Sequence, residues 1–107
     1  MGHLEIVQEL VDLGLDVNAS RFYGYTLLHA AATHGQTTVA SYLISNGAEI
    51  NKITNSGYTP LHMASEFGYA ETVKLLIDLG ADSTIKAKNG KTAIDVAENL
   101  QIKKLFE

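Results

Sequence analysis

The sequence has no cysteine and no tryptophan, and Pro60 is the one proline among its 107 residues. Without cysteine there are no disulfide bonds, no thiolate catalysis and no zinc sites with cysteine ligands. No apolar run approaches the roughly eighteen residues that a membrane-spanning helix needs, and no cationic flank followed by an apolar segment opens the chain. We therefore expect a soluble cytoplasmic protein that has no membrane partner.

Basic residues are also scarce, since 8 Lys and Arg face 12 Asp and Glu, which gives a net charge of −4. A chain with this charge is a poor general binder of polyanions, so we expect no nucleic-acid partner. Apolar residues make up 46% of the sequence and charged residues 19%. This composition is typical of one folded domain with a buried core.

One pattern recurs every 33 positions along the chain. GYTLLHAA at residues 24–31 returns as GYTPLHMA at 57–64 and as GKTAIDVA at 90–97. Further series keep the same spacing, namely Gly2, Gly35 and Gly68; Leu10, Leu43 and Leu76; and Gly14, Gly47 and Gly80. An internal repeat of this length is typical of a solenoid, in which each unit buries its apolar face against the next.

Each repeat reads as two short helices followed by a loop. Thr26, Thr59 and Thr92 are suited to cap a helix start with their hydroxyls, which predicts first helices over roughly 27–34, 60–67 and 93–99. Glycine ends the first two of these helices, and a second helix with an apolar stripe follows. The stripes comprise Val7, Leu10 and Val11; Ala40, Leu43 and Ile44; and Val73, Leu76 and Ile77.

The pattern resembles the ankyrin repeat, whose Thr-Pro-Leu-His hallmark is intact at residues 59–62 and varied at 26–29 and 92–95. The resemblance covers essentially the whole chain. It implies an all-α solenoid of stacked helix-turn-helix layers with projecting hairpin-like loops. Within a single array over 1–107, we expect a leading half repeat (2–20), two full repeats (21–53 and 54–86) and an abbreviated capping repeat (87–107).

The leading half repeat has no first helix to cover its apolar residues. We expect this layer to expose an apolar surface that favours self-association, formed by Ile6, Leu10 and Leu13. The chain is accordingly interpreted as a fragment of a longer array, an engineered scaffold, or one member of an assembly whose other copy covers this face.

No residue pattern points to catalysis or to a cofactor. The phosphate-binding Gly-Lys loop, the dinucleotide fingerprint and the Gly-x-Ser-x-Gly nucleophile motif are all missing. His29 and His62 lie one repeat apart, at about 10 Å, which is too far to share a zinc ion. The resemblance implies instead that each histidine bonds to the backbone of a neighbouring loop. We expect no enzyme activity, no metal and no cofactor.

The resemblance implies a protein partner that binds to the loops and first helices on one concave side. We name the loop segments 19–25, 52–58 and 85–91 the first, second and third fingers. The candidate contact residues on this side are Phe22, Tyr23, Tyr25, His34, Ile53, Asn55, Tyr58, Phe67, Lys88 and Lys91. Exposed aromatic rings are typical interface anchors, although the same rings are also suited to pack between fingers and stiffen them.

Charge is unevenly distributed along the chain. The fingers carry five of the eight basic residues and no acidic residue, namely Arg21, Lys52, Lys86, Lys88 and Lys91. A partner with an apolar patch beside acidic residues would be complementary, while protection of solubility explains the same charges equally well. The resemblance further makes Asn18 and Asn51 candidates for asparaginyl hydroxylation. The identity of the partner does not follow from the sequence.

Overall fold

Threonine caps fix where the helices begin. The computed structural model describes residues 3–107. In it, the hydroxyl oxygen of Thr26 accepts a hydrogen bond from the backbone amide of His29 at 3.3 Å, and that of Thr59 accepts one from the amide of His62 at 3.1 Å. These caps open α2 (Leu27–Thr33) and α4 (Pro60–Glu66). The other helices are α1 (His3–Asp12), α3 (Thr37–Ser45), α5 (Ala70–Asp78) and α6 (Leu100–Lys104). Gly2, which belongs to the predicted repeat, lies outside the described residues.

The helices form two parallel rows. Helix α2 packs against α4 in one row, while α1, α3, α5 and α6 contact one another in sequence in the other. Helix α2 also packs on α3, and α4 on α5, which joins the rows into layers. The all-α solenoid is thus confirmed.

No helix in residues 3–107 is long and apolar enough to cross a membrane. The division into repeats at 21–53 and 54–86 stays a prediction.

The core runs continuously through the layers. Leu28 and Leu61 of the first helices are each 1% exposed, and Leu43 and Leu76 of the second helices are fully buried. The buried residues form two clusters, one around Leu28 and Leu43 and one around Leu61 and Leu76, and Ile44 packs against both. Layer-to-layer burial therefore stabilises the array, as expected for a repeat protein.

The fingers pair with one another through their backbones. Within the fingers, Thr54 N–H donates to the Tyr58 carbonyl and Ala87 N–H to the Lys91 carbonyl, both at 2.9 Å. Between fingers, Asn55 N–H donates to the Tyr23 carbonyl at 2.8 Å, and Lys88 N–H to the Ser56 carbonyl at 2.9 Å. These bonds hold the three loops in a fixed row.

Glycine makes this close approach possible in the second finger. Gly57 has a φ of +84°, and a Cβ at this position would lie 2.9 Å from the backbone nitrogen of Lys88. A side chain would therefore be strained by its own backbone and would also push the third finger away.

Histidine joins each layer to the next finger. The Nδ1 atom of His29 accepts the Thr26 backbone N–H at 3.2 Å, so its Nε2 carries the proton and donates to the Tyr58 carbonyl at 3.0 Å. His62 repeats this arrangement with Thr59 and the Lys91 carbonyl, the latter at 2.9 Å. The implied backbone bonds of both histidines are confirmed.

This environment favours neutral His29. Burial lowers the pKa of the His29 imidazole below its ordinary value of 6.5, and the hydrogen bond to the Tyr58 carbonyl only partly opposes this effect. Protonation would also turn Nδ1 into a donor that faces the Thr26 N–H. The folded state therefore favours the neutral form of the His29 side chain.

The predicted helix over 93–99 is wrong. Residues 93–96 form only a turn, in which Val96 N–H donates to the Thr92 carbonyl at 3.2 Å. Glu98 N–H then donates to the Ser65 carbonyl at 2.8 Å, and the side chain of Asn99, whose backbone is extended, caps α6. These two interactions draw the chain out of the helical path after one turn.

Candidate functional site

The first finger presents two uncovered aromatic rings. Phe22 is 73% exposed and Tyr23 is 79% exposed. The guanidinium carbon of Arg21 lies 5.6 Å from the centroid of the Phe22 ring, within the range of a cation–π contact. The finger therefore places apolar surface and positive charge side by side.

Tyr23 has a strained backbone. Its φ of 63° and ψ of 21° lie in the left-handed region, and it is the one non-glycine residue with positive φ among residues 3–107. Gly24, the next residue, has a φ of +75°, so both central positions of this turn are left-handed. A turn with two left-handed central residues normally favours the sequence Asn-Gly. A bulky residue such as tyrosine at the first of these positions lowers the stability of the folded state.

Two further rings are held along the first helices. The hydroxyl of half-buried Tyr25 lies 2.6 Å from Thr33 Oγ1, and its ring stacks on His29 with centroids 5.6 Å apart. The Tyr58 ring lies 4.8 Å from that of His62. Burial raises the pKa of the Tyr58 hydroxyl, and its hydrogen bond to Glu66 raises it further. These contacts hold both rings in place on the concave side.

Residues of the first and second fingers line a groove of about 420 Å³. It brings together three predicted contact residues, Tyr23, Tyr25 and Asn55, and adds Thr54, Ser56 and Met63. The groove is open to solvent and mainly apolar, so it is suited to an apolar side chain. Met63 is not among the predicted contact residues. The available signal is that its position does not keep the repeat, since Ala30 and Val96 stand at the equivalent places.

Sequence comparison now identifies the fold family. A family model of three ankyrin repeats matches residues 1–89 and again residues 52–104. The chain belongs to the ankyrin-repeat family. Ankyrin repeats are generally protein–protein interaction modules and typically non-catalytic. No individual curated protein matches the chain.

The remaining predicted contact residues are spread over the ankyrin array. Ile53 in the second finger and Phe67 at the end of α4 are about half exposed. Lys88 and Lys91 are exposed on the third finger. His34 lies at the end of α2, where it borders the N-terminal layer rather than the groove between the fingers. The predicted set is thus one groove with scattered neighbours.

The N-terminal layer of the ankyrin array is apolar and open. Ile6, Leu10 and Leu13 of the predicted self-association surface are all exposed. Two grooves of about 290 and 300 Å³ lie beside Leu10, where α1 faces Leu27 and Ala30 of α2. This layer therefore offers a second apolar surface, separate from the groove between the fingers.

The described residues hold no group of three or more His, Asp or Glu that could bind a metal ion.

The candidate hydroxylation residues both have structural contacts. Asn18 Oδ1 accepts the Glu49 amide at 2.7 Å, and Asn51 Oδ1 accepts the Asp82 amide at 2.8 Å. Each asparagine ties its loop to the next repeat.

Replacing the strained residue should stabilise the array. We expect Tyr23→Asn to raise the free energy of unfolding by about 1 kcal/mol, because asparagine adopts the left-handed conformation at lower cost. Urea denaturation followed by circular dichroism measures this change.

Ser56→Asn is the matched control. Ser56 occupies the equivalent position in the second finger but does not have a positive φ, so the control should show no gain. Equal effects of the two substitutions on stability would contradict the assignment of strain to Tyr23.

Proposed function

We propose that the chain is a non-catalytic module that binds a protein partner through its fingers and first helices. The observation that carries this proposal is the exposure of Phe22 and Tyr23 on a finger whose backbone is fixed by its neighbour. Rigid aromatic side chains bury a large contact area at little cost in conformational entropy. The strain at Tyr23 supports the same view, because strained residues cluster at functional sites.

The partner should present an apolar patch beside acidic residues. Arg21 lies against Phe22, and Lys88 and Lys91 are exposed two fingers away. These charges steer an acidic partner and set its register, while the rings contribute most of the affinity.

Loss of two rings should abolish capture of the partner. The folded chain is coupled to a resin, and the proteins it retains from a cell extract are compared with those retained by the Tyr23→Ala, Phe67→Ala double variant. For a captured protein that is then purified, each substitution should weaken binding by about 2 kcal/mol without lowering the melting temperature.

Tyr42→Ala, on the second-helix row, is a control that should retain the partner. A double variant that binds the purified partner as tightly as the original chain would contradict the proposal.

A second candidate function is self-association through the N-terminal layer. It is supported by the open grooves beside Leu10 and by the exposure of Ile6 and Leu13. A second copy that covers these side chains would remove apolar surface from water.

Self-association makes the melting temperature rise with protein concentration. We expect Leu10→Lys to remove that dependence, since a charge would have to be buried in the contact. Leu79→Lys, which changes an exposed leucine at the end of α5, should leave the dependence intact. A single monomeric species in sedimentation at every concentration would contradict this candidate.

A further inference from the structure

The groove between the first and second fingers is a preformed apolar subsite. Tyr23 and Tyr25 line it together with Met63, while Asn55 and Ser56 supply polar groups. The flexible thioether of methionine adapts to side chains of different shape. The lining therefore fits one apolar side chain with polar backbone on either side of it.

Hydrogen bonds hold this groove in place. Tyr25 is anchored by the 2.6 Å contact with Thr33, and the carbonyl of Tyr23 accepts the Asn55 amide at 2.8 Å. Because both fingers are already ordered, a ligand would lose little binding energy to ordering them.

The next gap along the array has different chemistry. One repeat on, the equivalents of Tyr23 and Met63 are Ser56 and Val96, and the third finger carries Lys88 and Lys91. The backbone of Lys88 lies next to one lining residue of the first groove, since its amide donates to the carbonyl of Ser56. An apolar subsite is therefore followed by a basic one, a layer spacing of about 10 Å away.

Positive charge also lies on the other side of the groove. Arg21 lines a smaller cleft with Phe22, Tyr23 and Tyr25. The three fingers contain no Asp or Glu. Cations thus flank the apolar groove along the row of fingers, which makes it complementary to a ligand with carboxylates on both sides of an apolar group.

We propose that this groove binds an extended acidic segment of a partner protein by enclosing one apolar side chain of that segment. A carboxylate two residues away, about 6.6 Å along the extended segment and on the same face as the apolar side chain, then extends towards Lys88, and one on the opposite side extends towards Arg21. This inference rests on the proposed function and names the partner chemistry that its central subsite recognises.

The test titrates isotopically labelled protein with a blocked peptide and follows amide chemical shifts by NMR. The probe has a central Phe, Glu two residues to either side, and Gly or Ser elsewhere. We expect shifts at Ser56, Met63 and Lys88. A probe with Ser in place of Phe should bind at least about tenfold more weakly, as expected for losing a buried aromatic side chain.

Charge and groove contributions are then separated. The Glu→Gln probe should bind more weakly and lose its sensitivity to about 0.5 M salt, which screens exposed charges. Met63→Gln and, as a second variant, Tyr23→Ser should each weaken the Phe probe about tenfold. Leu79→Gln, outside the fingers, is the control and should bind it normally.

Three results would overturn the inference: no shifts at millimolar peptide, equal binding of the Phe and Ser probes, or stronger binding of single-stranded oligothymidine at the same residues. If the peptides fail while the Tyr23→Ala, Phe67→Ala variant loses its captured protein, only the groove assignment is lost. If that variant keeps its captured protein, the proposed function itself is lost.

Discussion

Two buried histidines, His29 and His62, each link one layer to the next. In both cases Nδ1 accepts the backbone N–H of the capping threonine, and Nε2 donates to a carbonyl of the following finger, that of Tyr58 or Lys91. One side chain therefore satisfies a helix start and positions a loop. The burial that surrounds His29 and His62 makes these bonds costly to lose without replacement.

The position of the fingers follows from this link. Once each finger is held at its base, the amides of Asn55 and Lys88 bond to the preceding finger. The loops then form a fixed row in which rings and basic side chains face solvent while their backbones are paired. The groove between the fingers therefore depends on packing in the layers as well as on the loops themselves.

The sequence predicts the parts of this structure that local chemistry decides. Threonine caps and the buried leucines follow from residues that repeat in phase, while the histidine bonds are what the family resemblance implies. The expected helix at 93–99 fails because the amide of Glu98 bonds to the Ser65 carbonyl, a tertiary contact that no local pattern records. The left-handed Tyr23 escapes prediction for a related reason, since neighbouring fingers fix a conformation that tyrosine alone avoids.

Met63 is a groove residue whose position departs from the repeat. Its side chain lines the groove, and Ala30 and Val96 stand at the equivalent positions, so departures from the repeat on first helices are candidates for contact with a ligand. The shape of the groove also depends on the orientation of the Tyr25 side chain, whose hydroxyl contacts Thr33. That orientation follows from side-chain packing and not from the spacing of residues along the sequence.

The central claim is that neutral His29 couples the layers, and the pH dependence of unfolding tests it most directly. Because the folded-state pKa of His29 is lowered, its contribution to stability is complete above about pH 6.5 and is lost as the pH falls below that value. The free energy of unfolding should therefore decrease between about pH 7.5 and 5 more steeply in the original chain than in His29→Gln. Identical pH dependence in the two proteins would contradict the account.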